Sequence, residues 1–228
     1  MFEFLLLDLD DTILDFQKSE EYGIRKTLSD AGIEPTEQIC LRYSQINKEH
    51  WKRLELGEIT RERLLISRFE ELYRELGTEA DPARSAVEYM DNMASVHFFL
   101  PGAEEAVHAL SKKYRTFIVS NGTASAQERR LTSANLYPYF EKVFISQLIG
   151  VNKPAKEFFD RCFTQIPGFD PKKALIVGDS LSSDIQGGIN AGIATCWVNP
   201  NHKPPKVNIP ADYEIERLSQ LEDLLDRL

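Results

Sequence analysis

Short runs of almost unbroken apolar residues, each closing on polar or small residues, constrain this chain more than any other feature. They fall at Phe2 to Leu7, Thr116 to Val119, Lys142 to Ile145, Ala174 to Val177, Ala194 to Val198 and, more weakly, Asp212 to Ile215. A strand wet on one face alternates apolar and polar residues, whereas a strand covered on both faces does not. Segments with helical spacing separate the runs. The pattern predicts βα units around a Rossmann-like parallel sheet buried on both faces, an α/β fold.

Between the first run and the second the rhythm stops. Over residues 15–100 no strand signal occurs and helix punctuation takes over. Ile39, Tyr43, Ile46 and Leu54 follow helical spacing until Gly57. Thr60 can cap a helix with Leu65, Phe69, Leu72 and Leu76 on one face, ended by Gly77. Asp81-Pro82 is a good N-cap and first-turn pair. The spacing predicts an insertion of about four helices. Leu100-Pro101-Gly102 marks the return. Residues 1–14 and 101–228 then form a core, and 15–100 an inserted all-helical domain. Asn199 to Pro210, rich in Pro, Asn and Lys, reads as an irregular surface loop.

Four polar constellations close the apolar runs. Asp8, Asp10, Asp11 and Thr12 follow the first. Carboxylates there face the crevice at the carboxyl end of a parallel sheet, where ligands bind in such folds. Two close carboxylates repel and need a cation, a shared proton or solvent. Ser120, Asn121 and Gly122 end the second run and lead into a helix, whose N-terminus suits phosphate. Lys153-Pro154 precedes a helix carrying Phe158, Phe159 and Phe163, and a lysine there can act as a point charge. Asp179 follows the fourth run, with Asp184 five positions on. Each feature alone also reads as a helix cap, a first-turn acid or a surface lysine. Acid pair, hydroxyl, lysine and acid pair in that order at successive strand ends is not what unrelated caps supply.

As a set the residues resemble the haloacid dehalogenase (HAD) superfamily of hydrolases. Its DxDxT motif matches at Asp8, Asp10 and Thr12, its strand-end hydroxyl at Ser120, its lysine at Lys153, and GDxxxxD at Asp179 and Asp184. The helical insertion is similar to the family's C1 cap, which would act as a lid. The resemblance implies that Asp8 is a nucleophile forming an aspartyl-phosphate. Asp10 would be general acid and then base, with Thr12 holding it. Ser120, Asn121 and Gly122 would grip the phosphoryl group with Lys153. Mg²⁺ would sit on Asp8, Asp179 and the main-chain carbonyl of Asp10, with Asp184 behind. All of these are hard oxygen donors, as Mg²⁺ prefers. An aspartate at position 10 favours a phosphatase over a haloalkanoate dehalogenase. The stretch Ile46-Asn47-Lys48-Glu49-His50-Trp51, with Leu56 to Thr60 and Asp11 to Phe16, is similar to the YjjG-like pyrimidine 5′-nucleotidases. That implies (deoxy)pyrimidine nucleoside monophosphates as substrates, with Phe16, Asn47 and Trp51 as candidate contacts. Phe16 and Trp51 could instead pack the cap's own core. Sugar phosphates or phosphoglycolate are the alternative substrates; a phosphosugar mutase or a non-catalytic binding protein fits the motifs less well.

Composition enters as exclusion. The chain has 27 Lys+Arg against 36 Asp+Glu, a formal net charge of -9. That offers no basic surface to track a phosphate polymer, so a small-molecule phosphate ester rather than a nucleic acid is the expected partner. No run approaches the ~18 apolar residues a membrane helix needs. Cys40, Cys162 and Cys196 are widely spaced, and the apolar start lacks the basic flank of a signal peptide, so a cytoplasmic protein is expected.

Overall fold

The computed structural model describes residues 1–202, 204 and 208–228. Of the loop read at 199–210, residues 203 and 205–207 lie outside the described residues. In chain order the elements begin with β1 (Phe4–Leu7), α1 (Phe16–Asp30), α2 (Glu37–Glu55), α3 (Arg61–Leu76), α4 (Pro82–Ala94) and α5 (Ala103–Lys113). Then come β2 (Arg115–Ser120), α6 (Ala124–Ser133), β3 (Lys142–Ile145), α7 (Ser146–Ile149) and α8 (Lys156–Phe163). The chain closes with β4 (Ala174–Gly178), α9 (Gln186–Ala191), β5 (Ala194–Val198), β6 (Tyr213–Ile215) and α10 (Leu221–Leu225).

The strands form one parallel sheet in the order β3-β2-β1-β4-β5-β6. The chain therefore winds outward to one side of β1 and then restarts on the other, at β4. Such a reversal opens a crevice at the carboxyl ends of the two central strands. Leu7 pairs with Ile118 on one side and Val177 on the other, so the strand ends come out level. All four residues of β1 are fully buried, as an unbroken apolar run requires. Leu5 and Leu7 pack with Val107 and Leu110 of α5 on one face, while Phe4 and Leu6 pack with Phe158 and Phe159 of α8 on the other. At roughly 1.5–3 kcal/mol for each large side chain fully buried, these two layers fix the strands that carry the site.

The chain falls into two compact units, residues 1–16 with 97–228 and residues 17–96. The sequence junctions at 14/15 and 100/101 shift because main-chain bonds knit both connecting segments into the first unit. Asp15 N–H donates to Phe98 O (2.7 Å) and Leu100 N–H to Ile13 O (3.0 Å). The second unit, α1 (from Gln17) to α4, is all helical. Thr60 Oγ1 accepts from Arg63 N–H at the start of α3 (3.3 Å), and Gly77 ends it at φ +64°, where a side chain would be strained. Asp81 Oδ1 accepts from Ala83 N–H (2.9 Å) at the start of α4. Tyr43, Phe69 and Tyr89 meet in the unit's interior with ring centroids 5.1–5.8 Å apart. Among the described residues no helix is long and apolar enough to cross a membrane.

Candidate active site

The site is built where β1, β2 and β4 end. Asp8 extends β1 by one residue, its N–H donating to Val177 O (2.9 Å), so its carboxyl group stands just past the sheet. Asp11 then takes a left-handed φ of +55° and accepts from Phe16 N–H on Oδ1 (3.0 Å). This turn releases the chain into α1.

Lys153 is 1 % exposed and lies among acceptors. Its Nζ donates to Asp8 Oδ1 (2.7 Å), Asp184 Oδ1 (2.6 Å) and Val119 O (2.6 Å). These use all three ammonium protons. Its backbone is held by Asn121, which accepts from Lys153 N–H (2.8 Å) and donates to Lys153 O (2.9 Å). The Asn121 side chain is thus a clasp for the lysine loop, which leaves its main-chain N–H as the group expected to face a phosphate. All three Lys153 donors are engaged by protein oxygens, so what it can offer a ligand is charge.

Asp184 sits in a π-helical turn over Leu181–Ile185 that Ser180 opens by accepting from Ser183 N–H (3.2 Å). Ser180 N–H donates to its second oxygen (3.1 Å). A Cβ on Gly178 would stand 2.3 Å from the Asp184 carboxyl group, so only glycine lets that carboxylate approach the strand end. Asp184 is therefore the lysine-orienting partner. Asp179 has its carbonyl fixed by Trp197 Nε1–H (2.8 Å), a contact made by β5 that no motif announced.

Carboxylate oxygens of Asp8, Asp179 and Asp184 all lie within 4.8 Å of one another. Three carboxylates share one ammonium. Burial pushes the Asp8 carboxyl up to about 8; Lys153 opposes the rise, while Asp184 and Asp10 add to it. Burial, with Asp184 and Asp8 close by, also drives Asp179 well above the carboxylate range. For Lys153, burial pulls downward, but Asp184 and Asp8 outweigh it and hold the ammonium above its ordinary value. The upward shifts show that Lys153 does not by itself support three ionised carboxylates at one place. The cluster's donors are hard oxygens with no thiolate or imidazole among them, which fits a divalent cation such as Mg²⁺. A cation there would reverse the upward shifts of Asp8 and Asp179.

Asp10 turns away from this cluster. Its Oδ1 is paired with Arg130 Nη1 and its Oδ2 accepts from Gln127 Nε2 (2.6 Å). Thr12, expected to hold it, is fully buried with its hydroxyl making no hydrogen bond. That is a correction: α6, not the residue two positions on, holds Asp10. Ser120 Oγ accepts from Gly122 N–H (3.1 Å) and from Gln127 Nε2 (2.9 Å). Gln127 and Arg130 escaped the motif reading. The available signal was their three-residue spacing on one face of the helix that follows Gly122.

The remaining candidates are scattered. Phe16, half-buried, lies 6.0 Å from the Arg130 guanidinium. Trp51 and Asn47 belong to the helical unit. Trp51 has the Arg61 guanidinium 5.4 Å from its ring. Asn47 is buried; its amide donates to Glu20 Oε1 (2.6 Å) and accepts from Arg68 Nη1 (2.8 Å). Its side chain serves that unit's interior, a second correction.

With this geometry in view, comparison with known proteins is specific. The family model described as haloacid dehalogenase-like hydrolase matches residues 3–192. The pyrimidine 5′-nucleotidase PynA of Streptococcus pneumoniae is 37% identical over 99% of this chain and 96% of its own length. The pyrimidine 5′-nucleotidase YjjG of Escherichia coli is 33% identical over 98% and 97%. A crystal structure of the Bacillus subtilis HAD-hydrolase YfnB, bound to magnesium, superposes with a TM-score of 0.94 at 38% identity, covering 99% of both chains.

Proposed function

Since the chain belongs to the haloacid dehalogenase-like hydrolases and is a phosphomonoester hydrolase of that family, we propose that it is a Mg²⁺-dependent 5′-nucleotidase. Its substrates are (deoxy)pyrimidine nucleoside monophosphates. The observation that carries the reaction is the buried Lys153 bridging Asp8 and Asp184 within the three-carboxylate cluster.

Asp8 attacks phosphorus, and the bond to the ester oxygen breaks as an aspartyl-phosphate forms. Asp10 gives a proton to the departing alkoxide, then takes one from the water that hydrolyses the acyl phosphate. Ser120 and the main-chain N–H groups that follow it receive the phosphoryl oxygens. Lys153 holds Asp8 in line and supplies positive charge, and Asp184 keeps the ammonium there. Asp8 and Asp179, with the main-chain carbonyl of Asp10, would hold Mg²⁺, whose charge offsets that of the phosphoryl oxygens.

The substrate class rests on likeness that runs through the helical unit as well as the sheet. PynA and YjjG align over 99% and 98% of this chain, so the insertion is shared along with the strand-end motifs. Phosphate release with Mg²⁺ from dTMP, dUMP and UMP, against glucose 6-phosphate and phosphoglycolate, tests it. The nucleotides are expected to give the higher kcat/KM by at least about tenfold, which corresponds to ~1.4 kcal/mol of transition-state discrimination. Equal or reversed rates would rule out the nucleotidase assignment while leaving the phosphatase chemistry intact.

A further inference from the structure

Arg130 is completely buried in α6, yet Nη1 alone finds partners: Asp10 and Gln127 Oε1 (3.0 Å). Its Nε and Nη2 have no hydrogen-bond partner among the described residues. Taking a guanidinium out of water costs several kcal/mol, which one ion pair seldom recovers when other donors stay unsatisfied. A purely structural role would be better filled by an apolar side chain of similar volume. The arginine makes sense through what it holds.

What it holds is the carboxylate expected to move protons. Both oxygens of Asp10 accept from α6, one from Arg130 and the other from Gln127. Gln127 is only 2 % exposed and is bonded at both ends of its amide. Nε2 donates to Asp10 and to Ser120 Oγ, and Oε1 accepts from Arg130. A Cβ on Gly122 would stand 2.2 Å from Gln127 Nε2, so the glycine after Ser120 leaves the space this amide fills. One side chain thereby links the Asp10 carboxylate to the Ser120 hydroxyl.

From this we infer that Gln127 and Arg130 are positioning residues that set the direction of the Asp10 carboxylate relative to the Ser120 loop, and so control proton transfer to the leaving group. The inference rests on the acid–base role proposed for Asp10. Arg130 and Gln127 act through Asp10 and Ser120, and neither is assigned to a step of its own.

The test uses leaving-group dependence, which a general loss of structure does not alter. An alkoxide needs a proton to depart, whereas p-nitrophenolate leaves readily without one. The full chain with Mg²⁺ is assayed for kcat/KM on an alkyl ester (dTMP, or glycerol 3-phosphate should the nucleotide not turn over) and on p-nitrophenyl phosphate. Asp10→Asn, Arg130→Met and Gln127→Leu are compared, with Arg130→Lys as the conservative variant and thermal melting as the check on folding. Arg130→Met and Gln127→Leu are expected to lose about 10- to 100-fold on the alkyl ester, a part of the ~10²–10⁴ that general acid–base catalysis supplies. On p-nitrophenyl phosphate they should lose less than about threefold. Arg130→Lys should recover part of the alkyl-ester loss, while thermal melting reports how far Arg130→Met, which leaves Asp10 without its ion-pair partner, lowers stability apart from that ratio. Equal losses on both esters in the Arg130 and Gln127 variants, while Asp10→Asn stays selective, would overturn this inference alone. Equal losses in Asp10→Asn would overturn the acid–base role and this inference with it. Should Arg130→Met fail to fold, Gln127→Leu and Arg130→Lys decide the matter by the same ratio.

Discussion

Each compact unit buries a network of charged side chains, and the two networks differ in their charge balance. In the helical unit, Glu20 accepts from Ser44 Oγ and Asn47 Nδ2, both at 2.6 Å. Asn47 passes the connection to Arg68, whose guanidinium lies 4.5 Å from the centre of the Tyr89 ring. One acid and one base close the circuit. In the core unit, Asp8 and Asp184 share Lys153 with the Val119 carbonyl, so every proton of that ammonium is already engaged, and Asp179 stands in the same cluster. Burial alone does not mark a functional site, since Asn47 and Arg68 are as buried as Lys153. The mark is the imbalance: in the helical unit one acid meets one base, while in the core three carboxyls crowd one ammonium, as a site for a cation would.

The largest expected effect follows from removing the proposed nucleophile in the unbalanced network. Asp8→Asn should lower kcat by at least ~10³-fold, as loss of a nucleophile generally does. It should also leave the melting temperature near neutral pH little changed, because an amide of the same shape replaces a carboxyl that burial already keeps protonated there. Steady-state phosphate release and a melting curve on the same sample check both. Retained turnover would dismiss Asp8 as the nucleophile. A collapse of the fold would mean that the Lys153 bridge is structural, and the contrast between the networks would vanish.

Less drastic is the pH dependence of the metal-free protein. The Asp8 carboxyl has an ordinary value of 3.8 and is pushed up to about 8 by burial. Between those values the folded chain binds a proton that the unfolded chain has released. The contribution of this carboxyl to stability is therefore fully present below about 4 and is lost as pH rises through about 8, with Asp179 adding to the same trend. Mg²⁺ should flatten this slope by favouring the ionised carboxylates. The loss is on the order of a few kcal/mol, each worth ~2–4 °C of melting temperature in a chain of this size. Melting curves from pH 5 to pH 8.5, with EDTA and with Mg²⁺, measure it. A slope that Mg²⁺ does not change would sever the cluster from cation binding.

The contrast also explains which features of the fold and site are legible in the sequence. β3 and β5 start and end where their apolar runs do, because a fully buried strand leaves an unbroken signature. Asp8, Ser120, Lys153, Asp179 and Asp184 could be grouped since each follows a strand or its connecting loop at the same edge of the sheet. Gln127 and Arg130 left only a weak signal: on a helix, two polar residues three apart share a face, but most such pairs belong to an ordinary solvent face. The π-helical turn at Leu181–Ile185 has no periodic pattern to betray it. Asn47 misled for the opposite reason. A buried amide inside a helical unit looks the same in sequence whether it meets a ligand or a neighbouring carboxylate.

The smallest effect lies in the balanced network, and it probes whether that network is as complete as it looks. Burial raises the Glu20 carboxyl above its ordinary 4.5, although the bonds from Ser44 and Asn47 and the charge of Arg68 oppose the rise. The sign is the same as in the core. The folded chain holds its proton to a higher pH than the unfolded chain, so stability declines as pH rises from 4.5 through the raised value. The amplitude should be smaller, because two donors and a guanidinium already support the anion. Glu20→Gln removes the titration while keeping the shape, and the Ser44 hydroxyl can turn from donor to acceptor to meet the new amide. With Mg²⁺ present to quiet the core, the stability difference between pH 5 and pH 8, from urea unfolding, should shrink by at most ~1 kcal/mol relative to the parent. kcat should stay within about twofold, since the bonds of Glu20 run to Ser44 and Asn47 inside the helical unit. An unchanged or steeper slope would show that Glu20 folds already ionised, with the helical network fully compensating its charge. A large fall in kcat would mean that the helical unit's charges reach the chemistry, and the division between a closed network and an open one would have to be redrawn.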